Sequence, residues 1–411
     1  MMLETNKPSF GVLDDVKVVF SAMEIAAPTA AEIMSEWGAD VTWVENPWNG
    51  DSMRDTKWVK EMERRNMRSI SMNQFSDDGK EIIRALVKDA DIFIESNKGP
   101  VFQRKGITDE FLWEVNPKLV IVHVSGYGQT GVPERINTAA YDLTVAAYAG
   151  IVAQNGSKDQ PMATQPYSGD FFNSLMIISA SLAAMHKADK TGKGESIDMA
   201  MYETLLRVGT YYMMDYLNDG IKYPRPGARH QNLCAIGEYK CKDGFLALEC
   251  YGAPQNKYLL EQIGLGDLLG TKDYPEGTTA LWLDSPKAQL IESKVEEYLA
   301  TRSKFDVQDD FMAHGIAVQV INEFEDIMAD KHVEERKDFI EWKNREGKEV
   351  KGLNTVPKFK NNPGGFWRPT PALGEDSLDL LRRAGFSDER IEEFRKNGTV
   401  KFAQDQENQE K

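Results

Sequence analysis

Positive charge is what this chain lacks. Its 49 Lys and Arg stand against 65 Asp and Glu, a formal net charge of −16, and a general nucleic-acid binder needs the opposite surplus to neutralise phosphates. Cysteine is also scarce. Cys234, Cys241 and Cys250 are odd in number and too loosely spaced for a zinc site, so reduced thiols in a cytoplasmic protein are expected instead of a disulfide framework. No apolar run is long enough to span a bilayer; the longest, about Leu175 to Met185, contains Ser179 and Ser181. Met1 to Phe10 is polar and has no apolar stretch of the signal-peptide kind. The 411 residues, 41% hydrophobic and 10% aromatic, leave ample material for the core of a two- or three-domain protein.

What is present alternates. Val16–Phe20, Val41–Glu45, Ser69–Met72, Asp91–Glu95 and Leu119–Val124 read as short strands bounded by polar turns. Helical patterns lie between them, one opening near Pro28 and another capped by Ser76. Such alternation predicts a parallel α/β sheet. Longer helical patterns follow at Tyr141–Val152, Phe171–Lys187 and Asp198–Leu217, then a linker at Tyr223–Gly227 and a β-hairpin at Gly237–Leu248. Lys358–Pro371, rich in Pro, Gly and Asn, predicts an extended segment; a last helical pair covers Ser377–Lys396, and the polar tail Gln404–Lys411 is expected to fray.

A dinucleotide site is excluded by another absence. The turn after the first strand, Ser21–Ala27, has no glycine, whereas the dinucleotide fingerprint needs glycines for backbone approach to a pyrophosphate. Ligands of such sheets bind beyond the carboxyl ends of strands. There the chain offers Ser96-Asn97-Lys98-Gly99-Pro100 with Arg104 and Lys105, and the glycine loop Ser125–Gly131. Arg64-Arg65-Asn66-Met67-Arg68 adds a third basic cluster. Together they predict a site for an anionic, phosphorylated ligand, against the simpler reading of solvated surface charge.

Asp170 is the candidate nucleophile. In Gln165-Pro166-Tyr167-Ser168-Gly169-Asp170-Phe171-Phe172 it follows a glycine turn and precedes an apolar helical run. Backbone N–H groups around a carboxylate suit attack on an activated acyl group, and the same placement equally describes a helix N-cap.

The ordered motifs then acquire a resemblance. Glu24–Pro28 with Trp37–Val41, Arg64-Arg65-Asn66, Ser125-Gly126-Tyr127-Gly128-Gln129, Tyr141-Asp142, Ser168-Gly169-Asp170 and Thr191–Asp198 resemble the successive motifs of the class III CoA-transferases over nearly the whole chain. Phe93-Ile94-Glu95, Lys98-Gly99-Pro100, Gly106–Glu110, Ala200–Glu203, Met213–Tyr216 and Lys358–Gly364 are similar to the carnitine CoA-transferase branch.

The resemblance implies an α/β fold: a Rossmann-like large domain built from both chain ends (residues 1–222 and 340–411), a smaller α+β domain (228–335), and two subunits interlocked as a homodimer. It implies Asp170 as covalent nucleophile. CoA contacts would be made by Lys98 and by Lys105, where the branch usually carries Arg, with Arg104 as the neighbour that shares them. It also implies ping-pong exchange of CoA between a betaine acyl-CoA (crotonobetainyl or γ-butyrobetainyl) and L-carnitine through an aspartyl-CoA thioester. No metal and no resident cofactor are expected, only CoA as co-substrate, and neither nucleic acid nor a membrane as partner. The alternatives are a CoA-transferase for another small acid, an acyl-CoA racemase of the same superfamily, and a non-catalytic CoA-binding subunit. The racemase branch has Gly-His-Asp where this chain has Ala140-Tyr141-Asp142, and tyrosine, with an ordinary pKa of about 10, is a poor base near neutrality.

Overall fold

The computed structural model describes residues 6–164 and 167–403; Gln165, Pro166 and the tail Gln404–Lys411 lie outside the described residues. Six parallel strands form the body of the main sheet: β1 (Lys17–Ser21), β2 (Asp40–Glu45), β3 (Met67–Met72), β4 (Ile92–Ser96), β5 (Val120–Ser125) and β6 (Ser196–Ala200). Their spatial order is β3-β2-β1-β4-β5-β6, and the two-residue strand Val400–Lys401 adds to β3 antiparallel. The central strands are apolar along their length because both faces are covered. Val18, Phe20, Ile92–Ile94 and Val120–Val122 are fully buried. The order reverses between β1 and β4, which start from neighbouring positions and send their chains to opposite sides. The crevice at such a switch point is where ligands of open α/β sheets bind.

Two elements depart from the sequence reading. Asp198–Leu217 is not one helix: Ser196–Ala200 is β6, and two helices, Met201–Val208 and Thr210–Asp219, follow it. Pairing with β5, from Ile121↔Ser196 to Ser125↔Ala200, makes Ser196–Ala200 a strand, and no local pattern reveals that ladder. The Tyr141–Val152 pattern is likewise broken at Gly150, whose φ of +81° splits it into Asp142–Tyr148 and Ile151–Gln154.

The chain divides into two compact units. The first, Met1–Ala149 with Gln165–Gly209 and Glu334–Lys411, holds the main sheet. Its C-terminal part returns through Lys358–Pro371, where no helix or strand is assigned. Asn66 clamps this return: its side chain donates to the Gly365 carbonyl at 2.7 Å and accepts from the Trp367 N–H at 2.8 Å. The second unit, Gly150–Thr164 with Thr210–Val333, has a three-stranded antiparallel sheet of Ile236–Cys241, Gly244–Glu249 and Ala317–Val320. Inward side chains such as Tyr239, Leu246 and Leu248 meet Leu259, Ile291, Val295 and Phe311 from its helices. All three cysteines are unpaired and buried in this core. Burial pushes the Cys234 and Cys250 thiols up to about 12, so both stay protonated and inert. Among the described residues no helix is long and apolar enough to cross a membrane.

Candidate active site

Asp170 sits at the switch point, carried by a long helix. That helix, Ser168–Thr191, starts three residues earlier and ends four residues later than the apolar pattern predicts. The residue outside its first turn is Tyr167, in left-handed conformation (φ +48°), so Asp170 lies inside the turn and does not cap it. The buried face reads Asp170, Asn173, Ser174, Ile177, Ile178 and Ser181, at helical spacing but with small and polar groups among the apolar ones. They allow a close approach to the Ala26–Glu36 helix, and the Ser174 hydroxyl donates to the Ala26 carbonyl at 2.7 Å. Other large apolar residues of the same segment, Phe172 and Leu175 among them, face outward.

Asp142 fixes the start of the Asp170 helix from outside. Its Oδ1 accepts the Asp170 backbone N–H at 3.0 Å, a carboxylate satisfying one of the orphan donors of a helix N-terminus. Gly169 is what admits it, because a Cβ there would lie 2.6 Å from Asp142 Oδ1. On the other side Glu24 adopts a left-handed φ of +68°. The buried pair Arg64–Asp51 (2.8 Å) holds it there: Asp51 Oδ1 accepts the Glu24 N–H at 3.2 Å and the Arg64 guanidinium donates to the Glu24 carbonyl. Strained backbone of this kind persists where the surroundings over-determine it.

Three carboxylates thus converge. Burial first, then the charges of Asp142 and Glu24, push the Asp170 carboxyl up to about 7.

Two cavities meet at Asp170. One, of about 270 Å³, is lined by Ser96, Asn97, Lys98, Ser125 and Gly126 from the ends of β4 and β5, together with Glu24. Gly126 is required in its wall, where a Cβ would collide with Ala140 at 2.1 Å. The other, of about 560 Å³, is lined by Glu24, Glu63, Asp142, Tyr141, Tyr167 and Phe171 with mostly apolar neighbours, and among the described residues no Lys or Arg borders it. Glu63 accepts the Thr29 hydroxyl at 2.6 Å, and burial raises its pKa from the ordinary value.

Of the basic residues expected at the site, the structure brings one to Asp170. Lys98 is exposed and lines the smaller cavity, whereas Arg104 and Lys105 are exposed at the end of the next short helix and border neither. Arg104 binds the Asn137 side chain at 3.1 Å. The third basic cluster is not a ligand site. Arg64, Arg65 and Arg68 are buried and consumed by Asp51, by Glu36 and Glu32, and by Asp40.

The glycine loop is also less available than its composition suggests: the Gly128 N–H goes to Ser125 Oγ at 2.9 Å and the Gln129 N–H to Asp198. Nor are two backbone N–H groups at the start of the helix free to hold an oxyanion, since that of Asp170 is held by Asp142 and that of Phe171 by the Tyr167 carbonyl.

Sequence reasoning missed Glu24, Asp142 and Glu63 as neighbours of Asp170. It also missed a buried bridge behind the Lys98 loop. His123 on β5 holds Glu95 Oε1 at 2.8 Å through Nδ1 and Asp109 Oδ1 at 2.9 Å through Nε2. Burial opposes the imidazolium, but the bonds to Asp109 and Glu95 outweigh it and keep its pKa up at about 9.

A parallel sheet of this order, with buried Asp142 and Asp170 at its switch point between a polar and an acidic aromatic cavity, is an α/β fold with a candidate active site where such folds bind their ligands. A sequence profile of CoA-transferase family III matches residues 13–377, and the chain belongs to that family. A CaiB/BaiF family protein from Brucella suis is 26% identical and superposes with a TM-score of 0.76, over 91% of this chain and all of that one. Rv3272 from Mycobacterium tuberculosis, 20% identical, has the same fold (TM-score 0.78, over 91% of this chain and all of that one). An aspartate-to-alanine mutant of Rv3272 superposes equally well at 19% identity, over 92% of this chain and all of that one.

Proposed function

We propose that this chain exchanges CoA between a betaine thioester, such as crotonobetainyl- or γ-butyrobetainyl-CoA, and L-carnitine, with Asp170 as nucleophile. The observation that carries this reading is the pair of unlike cavities meeting at Asp170. Lys98 marks the side where the CoA thiol and its anionic chain enter, with Arg104 and Lys105 farther along for its phosphates. The acidic aromatic side suits a cation: ring faces attract quaternary ammonium, and a cation would restore the charge that burial disfavours at Glu63.

The chemistry balances without another reactant. The Asp170 carboxylate attacks the thioester carbonyl, giving a mixed anhydride and releasing CoA thiolate. The thiolate then attacks the aspartyl carbonyl, which frees the first acid and leaves an aspartyl-CoA thioester. The acceptor carboxylate attacks that thioester, and the released thiolate finally takes the acceptor acyl group, regenerating the Asp170 carboxylate. His123, clamped between two carboxylates, has no free nitrogen to act as a base, which favours transfer over racemisation.

The test is a mass spectrum of the intact protein mixed with γ-butyrobetainyl-CoA. A covalent CoA adduct on the peptide containing Asp170 is expected. Exchange of the substrate α-proton with solvent and no adduct would mean a racemase, and tight binding with neither would mean a binding subunit.

We also propose the interlocked homodimer. Phe172 and Leu175, 44% and 53% exposed on the Asp170 helix, support it as apolar surface awaiting a cover. Sedimentation should give twice the chain mass of 46.3 kDa, and an active species at 46.3 kDa would refute it.

A further inference from the structure

The buried bridge behind the Lys98 loop has a branch that leads outward. Glu95 and His123 are register partners on adjacent β4 and β5, so their side chains share one face of the sheet. One Glu95 oxygen is taken by His123 and the other accepts the Asn97 side-chain amide at 2.9 Å. Asp109, which opens the Asp109–Trp113 helix, closes the far side of the imidazole. The strand ladder already fixes the Glu95 backbone, and a buried ion pair is a poor device for stability alone, since apolar packing of the same volume often does as well. Asn97, where the branch ends, is next to Lys98. From the other side Gly99, at φ +54°, packs against the Ile136 carbonyl, with room of only 2.9 Å for a Cβ.

We propose that His123, Glu95 and Asn97 form a positioning device that fixes the loop after β4, and with it Lys98, in the wall of the cavity that holds Asp170. Asn97 also lines that cavity, but its side-chain amide is spent on Glu95; the device touches no reacting atom and acts on CoA through Lys98. This rests on the reading that CoA enters by that cavity, and the experiment separates the two. Steady-state KM values for an acyl-CoA donor and for the carboxylate acceptor are measured for Lys98→Ala, Asn97→Ala and the double variant, with thermal unfolding as a check on the fold.

Asn97→Ala is expected to raise the donor KM about 5- to 10-fold, the scale of one lost hydrogen bond to a charged group, while acceptor KM and kcat stay within about twofold. In the Lys98→Ala background the same change should add less than about twofold, because both act through one contact. His123→Gln should give the same donor-only signature. It also leaves buried Glu95 and half-buried Asp109 facing a neutral group, so the partly exposed Asn97 decides the matter if that variant does not fold. An unchanged donor KM in Lys98→Ala would overturn the CoA reading and this proposal with it. A raised KM there, with no effect of Asn97→Ala or with fully additive effects, would overturn the positioning role alone.

Discussion

Replacing Asp170 by alanine is expected to lower CoA exchange by roughly four to six orders of magnitude, the scale of removing a covalent nucleophile, and at the same time to make the protein more stable. The second half follows from the carboxyl pKa of about 7 against an ordinary value of 3.8. An acid with a raised folded pKa holds its proton more tightly in the native state. Stability therefore falls as pH rises from about 4 to about 7, and the cost stands in full above that. A shift of this size corresponds to about 4 kcal/mol. The unfolding temperature of Asp170→Ala at pH 8 should exceed that of the parent by a few degrees, and the gain should vanish toward pH 4. Asp170 is not the helix cap, so no capping loss offsets the gain.

Activity carries the mirror image. Only the ionised carboxylate attacks, so kcat/KM should climb with pH and level off above about 7. Asp142→Asn keeps an oxygen for the Asp170 N–H but removes one of the two charges that raise the pKa, and should move the acidic limb to lower pH. Appreciable exchange by a folded Asp170→Ala protein would end the assignment. A limb that Asp142→Asn leaves in place would mean that a different group sets it.

The second large effect concerns the charge of the acyl group. γ-Butyrobetaine as acceptor is expected to exceed its uncharged isostere, with a tert-butyl in place of the trimethylammonium head, by about 10- to 100-fold in kcat/KM. That corresponds to two or three ring faces acting on a desolvated cation. Under the proposed function Tyr141, Tyr167 and Phe171, which line the larger cavity, would supply the faces and Glu63 the counter-charge, and among the described residues no Lys or Arg borders it. Glu63→Gln should narrow the preference several-fold while leaving turnover of the neutral analogue nearly unchanged. Equal rates for the two acceptors would mean that the cavity reads shape alone, and faster turnover of formate, oxalate or succinate would assign another acid.

Strands β1 to β5 were legible in the sequence because each is a short apolar or alternating run between polar turns, clearest at Asp91–Glu95 and Leu119–Val124, a signal that local composition carries by itself. The hairpin at Lys242-Asp243-Gly244 and the Ser76 cap were legible for the same reason, turn and cap chemistry being local. Asp170 could be singled out as a residue type after a glycine turn, but its properties could not. They come from Glu24, 146 positions earlier, and Asp142, 28 positions earlier, carried to it by the turn after β1 and by the start of the Asp142–Tyr148 helix. The basic run Arg64–Arg68 shows the converse. As sequence it reads as surface charge awaiting an anion, yet Asp51, Glu36, Glu32 and Asp40 neutralise it inside the protein. Strand β6 is the third instance, since the first three residues of a helical pattern, Asp198–Ala200, become part of a strand when the edge of β5 offers its unpaired backbone. Periodicity, turn residues and caps are interactions between near neighbours, and the sequence alone determines them. The pKa of a carboxylate, the fate of an arginine and the last strand of a sheet depend on groups far along the chain, so only the tertiary structure decides them.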